Sequence, residues 1–310
     1  MAELRRILVI KLGAFGDFAV AMGLFRAIRN YHRGALVTLL TTPPFEEWAK
    51  AGHWFDDVWT DGRPKGFEAY IALVRRVRAA RFDRVYDLQT NNRSSLLFHA
   101  LRPNPPEWSG IAWGASHPHA NPRRDFMHNY VSKREQLLMA GIADVPDTDV
   151  SWTAGIPLRF AVAKPFVLLA PGGAAHRPAK RWPVERYAAL ASALSSRALT
   201  PVVVGGEQER GLADVIKRAA SDALLLTGQT SFADLVVLGR EAALAVGNDS
   251  GPMHLFAASG TPMLVLFGSD SSPALSAPLG AQVRTLQAKA ITDLTVEQVL
   301  NALPAARSVP

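Results

Sequence analysis

The chain has 310 residues, 48% of them hydrophobic and 20% charged, and no cysteine. That length supports two domains with cores of their own, and the composition excludes a disordered chain, a disulfide framework and thiolate metal sites. The net charge of +7 is spread over both halves: 20 basic against 16 acidic residues in 1–155, 14 against 11 in 156–310. The excess is therefore no basic tail. The first apolar run, Ile7 to Ile10, stops at Lys11, too soon for a signal peptide. No apolar stretch approaches the roughly 20 residues that span a bilayer. A cytoplasmic protein is expected.

Ile7 to Ile10 reads as a buried strand, Lys11 to Asp17 as a tight glycine-containing turn, and the apolar spacing of Phe18, Ala21, Met22, Phe25 and Ile28 as a helix. Further strands are expected at Leu36 to Leu40, Val58 to Thr60 and Val85 to Leu88. Helices are expected around Phe45 to Ala51, near Ser94 to Leu101 and from about Phe126 to Ala140. A basic helix lies between the third and fourth strands, with an apolar face of Phe67, Tyr70, Ile71, Val74 and Val77. It carries Arg75, Arg76 and Arg78, with Arg81 and Arg84 just beyond. Such a run is ordinarily a solvated face. The sharper reading is a surface that approaches anionic lipid headgroups, at the inner face of the cytoplasmic membrane, or a phosphorylated acceptor. Nucleic acid is not expected, because no stacking aromatics interleave with these arginines. From Ser109 to Arg124 the pattern breaks into a Trp-, His- and Pro-containing loop where specificity could reside.

Residues 142–160 read as a linker, dividing the chain into domains 1–155 and 156–310. Alternation then resumes, with strands at Phe166 to Ala170, Pro201 to Val204, Leu224 to Leu226, Ala243 to Val246 and Met263 to Phe267. The helices lie near Val184 to Ser195, Glu207 to Ala219, Phe232 to Arg240 and Thr295 to Leu303. Strand–helix alternation predicts parallel sheets covered on both faces, in two doubly wound α/β domains facing across a cleft. Ligands of such sheets bind at the carboxyl ends of the strands.

Loops at those ends carry the candidate chemistry. In the first, Gly13 and Gly16 let a substrate approach the backbone and Asp17 is a carboxylate at the mouth of the site; the alternative makes Asp17 only the N-cap of the next helix. The second runs from Ala170 to Pro183. It is rich in Gly and Pro, including Gly172 and Gly173, lacks the ending of a Walker A loop, and carries Lys180 and Arg181, which suit a pyrophosphate. Glu207, after Gly205-Gly206, is a carboxylate that could take ribose hydroxyls; the alternative is an acid favoured at a helix N-terminus. In the last, Gly247 to Gly260, the strand is expected to stop at Gly247 and a helix to start at Gly251, presenting N–H groups to an anion. Asp249 and Ser250 could cap that helix, and His254 follows about one turn later.

Taken in order, Lys11…Gly16-Asp17, Pro171-Gly-Gly…Lys180-Arg-Trp-Pro183 and Asp249-Ser-Gly251…His254 resemble the ADP-heptose:lipopolysaccharide heptosyltransferases, inverting glycosyltransferases of the GT-B architecture. The resemblance implies Asp17 as catalytic base and Lys180 on the donor pyrophosphate. Gly172, Gly173, Arg181, Glu207, Asp249, Ser250, Gly251 and His254 would hold the nucleotide-sugar, and Lys11, Gly13 and Gly16 the acceptor side. It implies an ADP-sugar donor, an anionic glycolipid or glycan acceptor, and no cofactor. The sequence departs from some members at Gly13-Ala-Phe15, where they carry hydroxyl residues, and Ser109 to Arg124 aligns with nothing.

No metal is expected. Asp147-Thr-Asp149 has the Asp-x-Asp form but sits in the proline-flanked linker, and His117, His119 and His128 lack ligand spacing. Ser250 lacks a nucleophile elbow. The alternatives are a sugar-nucleotide 2-epimerase, a two-lobed solute-binding protein and, weaker, a dinucleotide oxidoreductase, since Gly-x-Gly-x-x-Gly is absent after the first strand.

Overall fold

Every strand pairing in the computed structural model, which describes residues 5–173 and 177–308, is parallel. The chain forms two units, Met1–Trp152 and Thr153–Pro310.

In the first unit the strands are β1 (Arg6–Ile10), β2 (Leu36–Leu40), β3 (Asp57–Trp59), β4 (Arg84–Asp87), β5 (Glu107–Gly110) and β6 (His117–Pro118), in the sheet order β3-β2-β1-β4-β5-β6. The helices are α1 (Phe15–Tyr31), α2 (Glu46–Ala51), α3 (Phe67–Ala80), α4 (Asn92–Ala100) and α5 (Asn129–Met139). β1 is a continuous apolar run because it lies mid-sheet with both faces covered, and Ile7 to Ile10 are wholly buried.

The second unit repeats the plan. Its strands are β7 (Phe166–Ala170), β8 (Thr200–Val203), β9 (Leu224–Leu225), β10 (Leu244–Asn248), β11 (Met263–Phe267) and β12 (Val283–Gln287), in the order β12-β11-β10-β7-β8-β9. Its helices are α6 (Val184–Ser195), α7 (Arg210–Ala219), α8 (Phe232–Glu241), α9 (Gly251–Ala258), α10 (Pro273–Ser276) and α11 (Val296–Ala302).

Each sheet thus has the strand order 3-2-1-4-5-6, and its order reverses between its first and fourth strands. There the two outgoing loops diverge to opposite sides and leave a crevice at the carboxyl edge. β1 and β4 form it in one unit, β7 and β10 in the other.

Three expectations are corrected. The stretch from Ser109 is not patternless: β5 and β6 extend the first sheet, too short and too mixed in composition to show a period. β12, also missed, is an edge strand with an exposed polar face. The buried face of α3 is Leu73, Val74 and Val77, whereas Phe67 is exposed at its first turn. The arginines there largely serve the fold. Arg76 pairs with Asp61 at 3.0 Å and lies 3.8 Å over the Trp59 ring, Arg78 donates to the carbonyls of Ala100 and Arg102, and Arg84 pairs with Glu107 at 2.6 Å.

Candidate functional site

In the first unit the loop after β1 turns on Gly13, whose φ of +113° is a region L side chains rarely adopt; a Cβ there would also lie 3.0 Å from the Phe45 ring. α1 then starts at Phe15, three residues before the apolar period begins. Ala14 is its N-cap, so Asp17 is the third residue of the helix and caps nothing, which removes the alternative reading. Asp17 instead accepts a 2.6 Å hydrogen bond from Asn129 Nδ2 at the start of α5.

Across the crevice, the loop after β4 is tied to the first by Gln89 Oε1, which accepts from the Leu12 N–H at 2.8 Å. Asp87 is wholly buried at the end of β4, and its Oδ1 accepts from the N–H groups of Gln89 and Thr90. Burial pushes its carboxyl above the ordinary range, opposed by Ser94, the Thr90 N–H and the charge of Lys133. Thr90 has φ +45°, a strained value for a β-branched residue, and its hydroxyl accepts from Lys133 Nζ. Lys133 is brought down to about 7 by burial and by the charge of Lys11, with Asp87 and Asp17 pulling the other way. Lys11 is buried, donates towards the Leu88 carbonyl, and is lowered by burial against the opposing pull of Asp17 and Asp87. The buried Lys11, Lys133 and Asp87 and the half-buried Asp17 therefore share one crevice. Sequence reading found Lys11 and Asp17; Asp87, Lys133 and Asn129 were missed because the last two come from a helix over 110 residues downstream and no local motif marks them.

In the second unit β10 runs one residue past Gly247, and Asn248 is the residue that shapes the crevice. Its Oδ1 accepts from the Trp182 N–H and the Tyr187 hydroxyl, both at 3.0 Å. Its Nδ2 donates to the carbonyls of Pro171 at 2.8 Å and Gly172 at 3.0 Å. One buried amide thus pins both ends of the loop after β7; residues 174–176 of that loop lie outside the described residues. A Cβ on Gly247 would meet Met253 Sδ at 2.5 Å and Ala170 Cβ at 2.8 Å, so the glycine serves close packing of β10 beneath α9.

Lys180 and Asp249 come together across this crevice in a 2.7 Å ion pair, their side chains only 13% and 7% exposed. Asp249 also accepts from the Ser276 hydroxyl, and this corrects its reading as a helix cap. Ser250 is the N-cap residue of α9 but makes no side-chain cap bond. Its Oγ is buried without a hydrogen-bond partner among the described residues. Gly251 opens the helix and His254 is half-buried within its first turn. Arg181 donates to the Gly173 carbonyl at 2.5 Å and lies 4.0 Å from Glu209. Glu207 is exposed and pairs with Arg210 at 2.6 Å. The buried acid beside it is Glu209, which accepts from the Gly206 N–H and packs against Gly172 and Gly205.

The acids and histidines set aside in the sequence have structural partners. Asp149 pairs with Arg26 and Asp147 accepts from Tyr130. His119 bonds Glu135 at 2.8 Å, and His128 caps α5. Among the described residues no three His, Asp or Glu side chains converge as metal ligands, and no helix is long and apolar enough to cross a membrane.

The family profile described as glycosyltransferase family 9 (heptosyltransferase) matches residues 70–299, about three-quarters of the chain and both crevices' later strands. The chain belongs to glycosyltransferase family 9. It is a glycosyltransferase with the GT-B-like fold. Lipopolysaccharide heptosyltransferase 2 of Escherichia coli is 24% identical over 91% of this chain and 88% of its own length. Lipooligosaccharide heptosyltransferase 2 of Haemophilus influenzae is 33% identical, over 37% of this chain and 34% of that protein. The solved structure of the E. coli ADP-heptose lps heptosyltransferase II superposes with a TM-score of 0.75 at 22% identity, covering 96% of this chain and 97% of that one. This family member carries its polar residues where the strand order reverses, the place a doubly wound sheet offers a ligand.

Proposed function

We propose that this glycosyltransferase transfers a heptose, with inversion, from ADP-heptose to a lipopolysaccharide-core or related anionic acceptor. The second unit holds the donor and the first the acceptor. The observation that carries this reading is the second crevice: a half-buried lysine, an arginine and the N-terminus of α9 gathered at the β7–β10 reversal, in a chain of this family. The relatives' names supply the sugar, the nucleotide and the acceptor class.

In the reaction, the acceptor hydroxyl oxygen bonds to the anomeric carbon as the bond from that carbon to the diphosphate breaks. The hydroxyl proton passes to Asp17 and the electron pair leaves with ADP. The charge gained by the diphosphate is offset by Lys180, Arg181 and the N–H groups at Ser250 and Gly251, interactions typically worth several kcal/mol. Lys180 is held by Asp249, so its ammonium is preorganised. Gly172 and Gly173 allow the backbone to approach the phosphates, and His254, Glu207 and the buried Glu209 flank the nucleotide. On the acceptor side Lys11, Gly13 and Gly16 shape the floor. A neighbouring recess of about 490 Å³, lined by Thr90, Asn92, Arg93, Ile111, Arg124 and Asp125, offers two guanidinium groups to the acceptor's anionic groups.

Peripheral contact with the inner membrane surface would run through Arg75 and Arg81, which are exposed on and just after α3. The family match weighs against the 2-epimerase. A thermal-shift panel tests the donor half: ADP should raise the melting temperature more than UDP or GDP, equally with magnesium or EDTA. A ligand at about 100 times its Kd stabilises by roughly 2.7 kcal/mol. Equal shifts for the three diphosphates would sink the assignment of an ADP-sugar.

A further inference from the structure

We propose that Asn129 is the positioning residue of the transfer reaction: its side-chain amide holds one oxygen of Asp17 and leaves the other to receive the acceptor's proton. This rests on Asp17 being the base.

The geometry starts from α5. Asn129, Lys133 and Gln136 fall at i, i+4 and i+7, so they share one face of the helix. That face is turned on the carboxyl ends of the first sheet's strands. Asn129 Nδ2 donates to Asp17 Oδ1 at 2.6 Å, Lys133 Nζ donates to Thr90, and Gln136 Nε2 donates to the carbonyls of Asp87 and Ser109 at 2.9 and 3.2 Å. An ordinary helix packed on a sheet presents an apolar stripe there. This one presents three donors.

Asn129 is also held in place on several sides. His128 caps α5 by accepting from the Tyr130 N–H, and the Tyr130 hydroxyl donates to the Pro146 carbonyl at 3.0 Å. Gly23 of α1 leaves room for that same segment, since a Cβ there would lie 2.2 Å from the Pro146 oxygen. Farther along the helix, Glu135 accepts from Asn121 and bonds His119. The amide therefore reaches Asp17 from a fixed point.

The chemistry favours an amide at this position. A carboxylate base must aim one lone pair at the incoming hydroxyl, yet its terminal torsion is broad. A single short hydrogen bond to the other oxygen fixes the plane. A lysine or arginine would fix it too, but its charge would hold the carboxylate in the ionised form and weaken it as a proton acceptor. Asparagine supplies the donor without the charge and does not titrate.

The test uses the full chain with ADP-heptose and heptose-deficient acceptor lipopolysaccharide. Asn129→Ala should lower kcat by about 10- to 100-fold, the range expected when a reacting group loses its orientation, with both KM values within about twofold. Asn129→Gln, which keeps the amide, should retain more turnover than Asn129→Ala. Asn129→Asp is isosteric and suited to a helix N-terminus, but it sets a second carboxylate against Asp17, and the pair retains a shared proton that leaves the base already occupied; its kcat should fall further than that of the alanine variant. A full kcat in Asn129→Asp overturns the proposal, as does an effect confined to the acceptor KM. Should Asn129→Ala fail to fold, the Asp and Gln variants decide on their own. Asp17→Asn is the parent control. If it is inactive while Asn129→Asp is fully active, only the positioning role is lost; if it turns over normally, the base assignment fails and takes this proposal with it.

Discussion

Asn248→Ala removes the amide on which the second crevice is built, and its cost can be worked from the contacts. Two donors, the Trp182 N–H and the Tyr187 hydroxyl, lose their acceptor. Two carbonyls, of Pro171 and Gly172, lose a donor. A buried polar group left unpaired costs about 1–3 kcal/mol, and carbonyls find new partners more readily than N–H groups. A loss of about 3–5 kcal/mol follows, a large part of the stability of a single domain. For a unit of this size, about 2–4 °C per kcal/mol gives a fall in melting temperature of about 6–20 °C. The isosteric Asn248→Asp separates the hydrogen bonds from the shape. The carboxylate can still accept from Trp182 and Tyr187, but its second oxygen faces two carbonyl oxygens at the 2.8 and 3.0 Å now spanned by the amide. It is relieved only by taking up a proton. Its folded pKa is then raised above the unfolded value of about 3.9, so stability is lost as pH rises from there through the raised folded value and is level above it. Thermal unfolding by circular dichroism, with hydrogen exchange read at the β7 and β10 amides, measures both variants. A fall under about 3 °C for Asn248→Ala, or a pH-independent Asn248→Asp, would refute this reasoning.

Further expectations concern charge, pH and the acceptor. Lys180→Ala should weaken ADP binding about tenfold and leave Asp249 without its cation, held only by the Ser276 hydroxyl, so removing Asp249 as well should recover part of the lost stability; calorimetry and a double-mutant cycle check both. His32 is kept neutral, at about 4, by burial first and then by Arg84, and bonds Tyr86 at 2.8 Å. The unfolded state therefore binds the proton first, and stability should fall as pH drops from about 6.5 to 4, by at most about 1.4 kcal/mol per unit; denaturation of His32→Gln should show a shallower slope. Gly13→Ala forces a side chain into φ +113° against Phe45 and should cost about 1–3 kcal/mol, read as a lower melting temperature. Arg124→Ala should raise the acceptor KM several-fold while ADP affinity stays constant.

The fold was legible because its central strands are buried on both faces. Leu8, Val9, Val246 and Val265 sit in runs with no polar interruption, and Gly-rich loops mark where those runs end. The short strands β5 and β6 and the edge strand β12 were not, since two to five residues of mixed composition carry no period. Asp17, Lys180 and Asp249 stood out as charges after apolar runs. Their pairings did not. Asn129 reaches Asp17 across 112 residues and Lys180 reaches Asp249 across 69, distances at which sequence spacing carries no geometric information. Asn248 was hidden for the opposite reason: it continues a strand and looks like part of the loop that follows.

The most direct test of the account is ADP release from ADP-heptose, measured with and without acceptor lipopolysaccharide and in the presence of EDTA. ADP should form only with acceptor, in step with a heptose-sized mass gain on the lipopolysaccharide, at the same rate in EDTA, and not at all with Asp17→Asn. Consumption of the donor without acceptor, or transfer undiminished in Asp17→Asn, would contradict it.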